Sequence, residues 1–275
     1  MLTPWLDQPG ARECLATWSG LTGLDLVSLG TVAPTDVVRR TDIAQPLLTA
    51  AALLSGHALL AGGAPDLVCG HSVGELSAIA LAGVITDDEA VVLAAGRGSA
   101  MAEAAAQTAT GMAAVLGGEI DEDVIRAAGL QIATVNAPGQ VVLGGPVAAL
   151  DAFAAPAGAR LRRLEVAGAF HTAAMAPARE RFAALVARLT PSQPVCGVIA
   201  NADGAVLRDG QQILDRLVAQ LTGPVRFDLC LQAASDASRA VELAPGGTLK
   251  ALVRRVLPDL PVTALNHPAD LLVSA

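Results

Sequence analysis

The sequence predicts an α/β fold built on a parallel sheet, with a smaller domain inserted in its middle. Three observations predict it. Short apolar runs alternate with helical segments along the 275 residues, the pattern of strands laid side by side and joined by helices. Aromatics make up only 2% of the chain, with no Tyr, so close-packed helices on a sheet fit better than an all-β sandwich. From about 111 to 166 the rhythm changes to strand, helix, strand, repeated once, which is the order of a ferredoxin-like unit.

Each element has its own signal. Between Asp42 and Asp66 no residue carries a fixed charge, and the run is long enough to span a bilayer. It also contains Gln45, Pro46, Thr49, Ser55, His57, Gly56, Gly62 and Gly63, so a buried core helix starting near Thr41 is the expectation. Residues 66–69 read as a short buried strand and 72–82 as a helix ending at Gly83. Thr86 with Glu89 three residues on forms a capping box, opening a long helix to about Gln107. In the insert, 111–116, 132–136, 141–144 and 160–166 read as strands, with helices over 121–128 and 146–153. Helices are then expected near 177–189, 211–221 and 226–234 and from Thr248, with strands near 195–201, 240–243 and 262–265. The large domain is thus expected over 1–108 and 168–275, and the small one over 109–167.

Composition excludes several functions. A net charge of -8 argues against a nucleic-acid surface that tracks phosphates. Cys14, Cys69, Cys196 and Cys230 are scattered with no C-x-x-C pair, which fits no usual zinc pattern and points to reduced thiols in a cytoplasmic protein.

The chemistry centres on Gly70-His71-Ser72-Val73-Gly74-Glu75. A serine between two glycines, after a strand and before a helix, is a nucleophile elbow. Glycines let the chain turn sharply, and the helix N-terminus stabilises negative charge beside the serine. The Val73 N–H is the expected oxyanion donor. Serine needs a base. His71 adjoins it on a diverging side chain and His57 lies in the uncharged helix, which leaves His171 and His267, either of them able by chemistry alone.

Joined to Ala169-Phe170-His171, the elbow resembles the malonyl-CoA:acyl carrier protein transacylases, most closely their actinobacterial branch. Further matches follow in order: Ala44-Gln45-Pro46, Arg97-Gly98, Asn136-Ala137-Pro138-Gly139-Gln140, Gln220-Leu221, Pro224-Val225-Arg226 and Pro245-Gly246-Gly247-Thr248-Leu249. The resemblance implies a hydrolase-like α/β domain carrying a ferredoxin-like insert. It implies a malonyl-Ser72 intermediate, with His171 as base and Gln220 in the place a carboxylate holds in a Ser-His-Asp triad. Arg97 would pair with the malonyl carboxylate, and Gly96 and Gly98 suggest that its helix is closely approached. Phe170 would crowd a methylmalonyl branch. Asn136, Gln140 and Asn201 would shape the pocket or carrier groove, or serve only as turn and strand-end hydrogen-bonding groups. The partners implied are malonyl-CoA and holo-acyl carrier protein, with no metal or bound cofactor, no nucleic acid, no membrane and a monomeric chain.

The family's opening Gly-Gln-Gly-(Ser/Ala)-Gln segment has no counterpart here. Met1-Leu2-Thr3-Pro4-Trp5 resembles the sequence just after it, and Gln8 lacks the glycine frame. The expectation is that the native protein begins upstream of Met1, and that this form lacks part of its oxyanion hole, at a cost of ~3 kcal/mol. Two competing readings are a serine hydrolase using Ser72, Asp228 and His267, and an inactive carrier-docking protein. An acidic carrier would need a local basic patch, for which Arg162-Arg163 and Lys250 with Arg254-Arg255 are the candidates.

Overall fold

The computed structural model describes residues 1–61 and 63–274, with Val273 and Ser274 described by backbone alone. Three short helices that the sequence pattern did not single out, α1 (Ala11–Thr22), α2 (Leu26–Thr31) and α3 (Thr35–Val38), lead into α4 (Thr41–Leu60). α4 is long and apolar enough to cross a membrane by length and composition. Here Ile43, Leu47, Ala50, Leu53 and Leu54 are instead buried in the main core. Pro46 removes only the bond its N–H would have given to the Asp42 carbonyl.

β1 (Leu67–Cys69) runs into the elbow, followed by α5 (Gly74–Leu81) and α6 (Asp87–Gln107). The helix expected from 72 begins two residues later, because Ser72 takes a left-handed φ of 54° that no helix accommodates. α6 starts at the capping box: Thr86 accepts from the Glu89 N–H at 3.2 Å and its own N–H donates to Glu89 Oε2 at 2.7 Å. α6 packs closely on α4. A Cβ on Gly98 would lie 2.7 Å from the Thr41 carbonyl oxygen, so only glycine permits this approach.

The insert holds β2 (Thr110–Gly117), α7 (Glu122–Ala127), β3 (Gln131–Ala137), β4 (Gln140–Pro146), α8 (Val147–Ala152) and β5 (Ala159–Arg163). Its strands lie in the order β5-β2-β4-β3, all antiparallel. Ala113, Val115, Ile125, Leu130, Val141, Leu143 and Leu150 give it an apolar core of its own. β5 stops at Arg163 rather than at 166; one further bond, Leu164 N–H to the Met112 carbonyl, carries the chain on towards the site.

After the insert come α9 (Ala176–Val186), β6 (Gly197–Ile199), β7 (Val206–Leu207), α10 (Gly210–Ala219), β8 (Val225–Arg226), α11 (Phe227–Ala233), β9 (Ala240–Glu242), α12 (Thr248–Val256), β10 (Val262–Ala264) and α13 (Leu271–Ser274). β1 pairs in parallel with β6, and β9 with β10, as an α/β fold requires. β7 and β8 were not expected, being two residues long. β7 pairs antiparallel with β6. β8 extends the insert's sheet by pairing in parallel with β3, and its Arg226 N–H donates to the Asn201 carbonyl at 2.7 Å. That strand ties β3, which carries Asn136, to Asn201 in the turn just past β6.

Candidate active site

Gly70 is what lets the elbow form. A Cβ there would lie 2.0 Å from the Gly74 carbonyl carbon and 2.3 Å from the Glu75 nitrogen, so α5 can start against β1 only over a bare backbone. Gly74 is different: a Cβ on it meets nothing within 4 Å. Among the described residues, Ser72 and His171 are the two non-glycine positions with positive φ, at 54° and 60°. Such backbone costs about 1–3 kcal/mol per residue and persists only where surrounding contacts hold it. For Ser72 the holder is Asn201, whose Oδ1 accepts the Ser72 N–H at 2.8 Å while its Nδ2 donates to the Gly70 carbonyl at 2.6 Å.

Ser72 Oγ lies 2.7 Å from His171 Nε2, and His171 Nδ1 lies 2.9 Å from the backbone carbonyl of Gln220. A carbonyl only accepts, so Nδ1 carries the proton and Nε2 is free to take the serine's. The Gln220 side chain bonds Arg97, Glu75, Asn201 and the Ser72 carbonyl instead of the imidazole. Gln220 thus meets the imidazole through its main-chain oxygen and not through its side-chain amide. His171 is buried beside the Arg97 cation, and burial first, then that charge, lowers its pKa to about 3.

Arg97 is almost wholly buried. Its Nη2 donates to Ser72 Oγ at 3.1 Å and to Gln220 Oε1 at 2.7 Å, and its Nη1 donates to Gln45 Oε1 at 2.6 Å. No buried carboxylate forms a direct ion pair with it among the described residues. Burial lowers its pKa to about 10, opposed by Glu75, and it remains a cation at neutral pH. Glu75, in the first turn of α5, is buried as well. Its Oε1 accepts the Asn201 N–H at 2.8 Å and its Oε2 accepts from Gln220 Nε2 at 2.5 Å. Burial raises its pKa to about 7, held back by the Asn201 N–H and by Arg97.

A cavity of about 450 Å³ opens onto these groups, lined by Ser72, Val73, Arg97, Phe170 and His171 on one side and Thr134, Asn136 and Val142 of the insert on the other. The Val73 N–H has no acceptor among the described residues, which leaves it available to an oxyanion. Asn136 Oδ1 lies 2.9 Å from His71 Nε2, so His71 is a structural partner, and burial lowers its pKa. Asn201 sits behind the elbow rather than in the cavity wall, and Gln140, at the start of β4, does not line the cavity either. Gln45 and Glu75 were missed as site residues. Their signals were there, a lone amide before Pro46 in an uncharged helix and a carboxylate in the otherwise apolar α5.

The rival triad does not assemble. Asp228 is held by Arg226 through two hydrogen bonds of 3.0 and 2.8 Å, and His267 is exposed, capping the turn Pro268–Asp270. His57 is bound to Asp87 at 2.6 Å, away from the cavity. All four cysteines are free, and among the described residues no three His, Cys, Asp or Glu side chains are grouped to hold a metal ion.

Residues 12–267 match the family described as acyl transferase domain. The chain belongs to the acyl transferase family. This acyl transferase is 46% identical over 284 residues to the malonyl CoA-acyl carrier protein transacylase of Mycolicibacterium smegmatis, covering 98% of each chain. It superposes on the crystal structure of MCAT from Mycobacterium tuberculosis with a TM-score of 0.93 at 45% identity, over 98% of this chain and 93% of that one. A TM-score of 0.90 at 30% identity relates it to PlMCAT, described in complex with the type II PKS acyl-carrier protein AntF, over 100% and 94% of the two chains. The acyl transferase fold is thus the α/β hydrolase-like one with its ferredoxin-like insert, and the enzyme is an acyltransferase.

Proposed function

We propose that this acyl transferase moves a malonyl group from malonyl-CoA to the phosphopantetheine thiol of acyl carrier protein through a malonyl ester on Ser72. One observation carries the assignment of residues: Ser72 Oγ lies at once 2.7 Å from a neutral imidazole nitrogen and 3.1 Å from a buried guanidinium. His171 Nε2 takes the hydroxyl proton as Ser72 Oγ bonds to the thioester carbonyl carbon. The Val73 N–H receives the oxyanion. The carbon–sulfur bond then breaks, and the CoA sulfur leaves with the proton from His171. Arg97 turns its Nη groups to the malonyl carboxylate, a pairing that suits a planar fork. In the second half-reaction the carrier thiol gives its proton to His171, attacks the ester, and Ser72 regains its hydrogen.

The thioester is already activated, so a main-chain carbonyl suffices to hold the base, and the chemistry calls for no metal or cofactor. Phe170 narrows the cavity beside His171 and so favours an unbranched acyl group. Residues 109–167, with their own apolar core, form the inserted domain, and 1–108 with 168–275 form the large one. The enzyme works as a cytoplasmic monomer on soluble substrates. Mass spectrometry after mixing with malonyl-CoA tests the reading: a malonyl adduct on Ser72, lost on adding holo-carrier and absent in S72A, is expected. An adduct on no residue, or one that the carrier does not remove, overturns it.

A further inference from the structure

Arg97 is an unusual buried cation, because neutral oxygens hold it on both sides. Gln45 Oε1 accepts from Nη1 and Gln220 Oε1 from Nη2, while the nearest carboxylate, Glu75, stands one amide further away behind Gln220. A direct Arg97–carboxylate pair would occupy the donors that an incoming carboxylate needs. An amide bridge keeps the anion close enough to offset the buried charge, while the fork meets only neutral acceptors that an incoming carboxylate can displace and Nε has no partner.

The bridge works only one way round. Gln220 offers one acceptor and two N–H groups on a planar amide that turns over at little cost in shape. Its Nε2 has three acceptors within reach: Glu75 Oε2 at 2.5 Å, Asn201 Oδ1 at 3.1 Å and the Ser72 carbonyl at 3.3 Å. Only Glu75 can carry a negative charge, and it lies nearest. Turned over, the amide would face Glu75 with its oxygen and Arg97 with its N–H₂, pushing the guanidinium off Ser72.

We infer that Glu75 is a positioning residue for acyl-group selection: its carboxylate, acting through the Gln220 amide, fixes the face that meets Arg97 and thereby sets the guanidinium for a carboxylated acyl group. The Glu75 side chain touches neither nucleophile nor base. Its other oxygen takes the Asn201 N–H, and Asn201 in turn holds the Ser72 N–H, so the same carboxylate steadies the elbow. In E75Q the new side chain must give its oxygen to the Asn201 N–H, which turns its own N–H₂ towards Gln220 and favours the reversed amide. A substrate without a carboxylate does not depend on that amide.

This inference rests on Arg97 as partner of the malonyl carboxylate, and one assay separates the two. Loading of Ser72 is measured as kcat/KM with malonyl-CoA and with acetyl-CoA for wild type, R97A, E75Q and E75D. E75Q is expected to lower the malonyl-to-acetyl ratio about tenfold or more, as loss of an ordered charge-assisted contact does, with acetyl loading nearly kept. E75D keeps the charge on a shorter arm and is expected to fall between wild type and R97A. If R97A leaves the ratio unchanged, the Arg97 reading falls. If R97A collapses the ratio while E75Q depresses both substrates alike, or neither, Glu75 has no part in selection. Should E75Q not fold, E75D decides: a ratio equal to that of wild type, with R97A collapsing it, overturns the role.

Discussion

His171 Nδ1 donates to the backbone carbonyl of Gln220 at 2.9 Å, while the side chain of the same Gln220 points the other way, to Arg97 and Glu75. One residue therefore serves two functions through different atoms. The main chain fixes the tautomer of His171, and the amide bridges Arg97 and Glu75, which the proposed function makes the acyl-recognition network. In Q220A the carbonyl survives and the amide is lost. Acetyl loading of Ser72 is expected to stay within about threefold of wild type, whereas malonyl loading falls about tenfold or more. H171A loses both. If Q220A abolishes acetyl loading as H171A does, the side chain and not the carbonyl orients the base.

An ordinary histidine titrates near 6.5, and His171 does not. Burial and the Arg97 cation hold its pKa near 3, so the imidazole stays neutral and ready throughout the usual range. The kcat/KM for acetyl loading is expected to be flat from about pH 5 to 8, since protonation of the free enzyme's base would set an acid limb only below that window. A limb with its midpoint near 6.5 would show that neither burial nor Arg97 governs this histidine.

The two elbow glycines look alike in sequence and differ in space. A methyl group on Gly70 collides with the backbone of Gly74 and Glu75, and one on Gly74 meets open space. Gly70→Ala is expected to cost about 3 kcal/mol or more and to abolish Ser72 loading, because backbone cannot move aside as a side chain can. Gly74→Ala at the start of α5 is expected to leave stability within about 1 kcal/mol and activity intact. Thermal unfolding with Ser72 labelling checks both, and equal damage from the two would sink the steric account.

What was legible in the sequence depended on whether the signal was local. The capping box at Thr86, the uncharged α4 and the strand–helix rhythm of the insert are local patterns, and each formed nearly where its residues placed it. Ser72 and His171 were readable because an elbow and a family motif surround them. Glu75, Gln45 and the work of Asn201 were not, since they depend on β1, α4, α6, β6 and the end of α10 meeting at one point, between residues up to 145 positions apart. Gln140 pairs with Ala137 at the turn beside Asn136 and does not line the cavity, which leaves the carrier groove or a strand-end role as its place. β8 escaped notice because two residues carry no periodicity.

Glu75 also makes stability depend on pH, with a definite sign. Its folded pKa of about 7 lies above the unfolded value of 4.5, so the folded state holds the proton more tightly. The stabilisation from this group is fully present below about 4.5 and is lost as pH rises through about 7, a total of about 3 kcal/mol. His171 acts in the opposite direction over the overlapping range, losing stability as pH falls from 6.5 towards 3. Comparing wild type with E75Q cancels the histidine. The wild-type advantage in urea unfolding is expected to shrink by about 3 kcal/mol between pH 4.5 and 8. An advantage that does not change with pH means that Glu75 titrates normally.

The last prediction concerns where an acidic carrier docks. Arg162 and Arg163 are exposed on β5, an edge strand, and the chain running on from them supplies Leu164, Glu165, Val166 and Ala167 to the cavity wall. Arg254 and Arg255 lie at the end of α12, where no residue lines the cavity, and Arg255 already donates to the Pro138 carbonyl at 2.9 Å. A carrier must deliver its thiol through the mouth, so the β5 pair is the better placed to meet its acidic surface. R162E/R163E is expected to raise the carrier KM several-fold, and more at low salt, while leaving malonyl loading of Ser72 from malonyl-CoA unchanged. R254E/R255E is expected to have the smaller effect. Reversal of that order would move the docking face to α12, and no rise in KM from either pair would remove both.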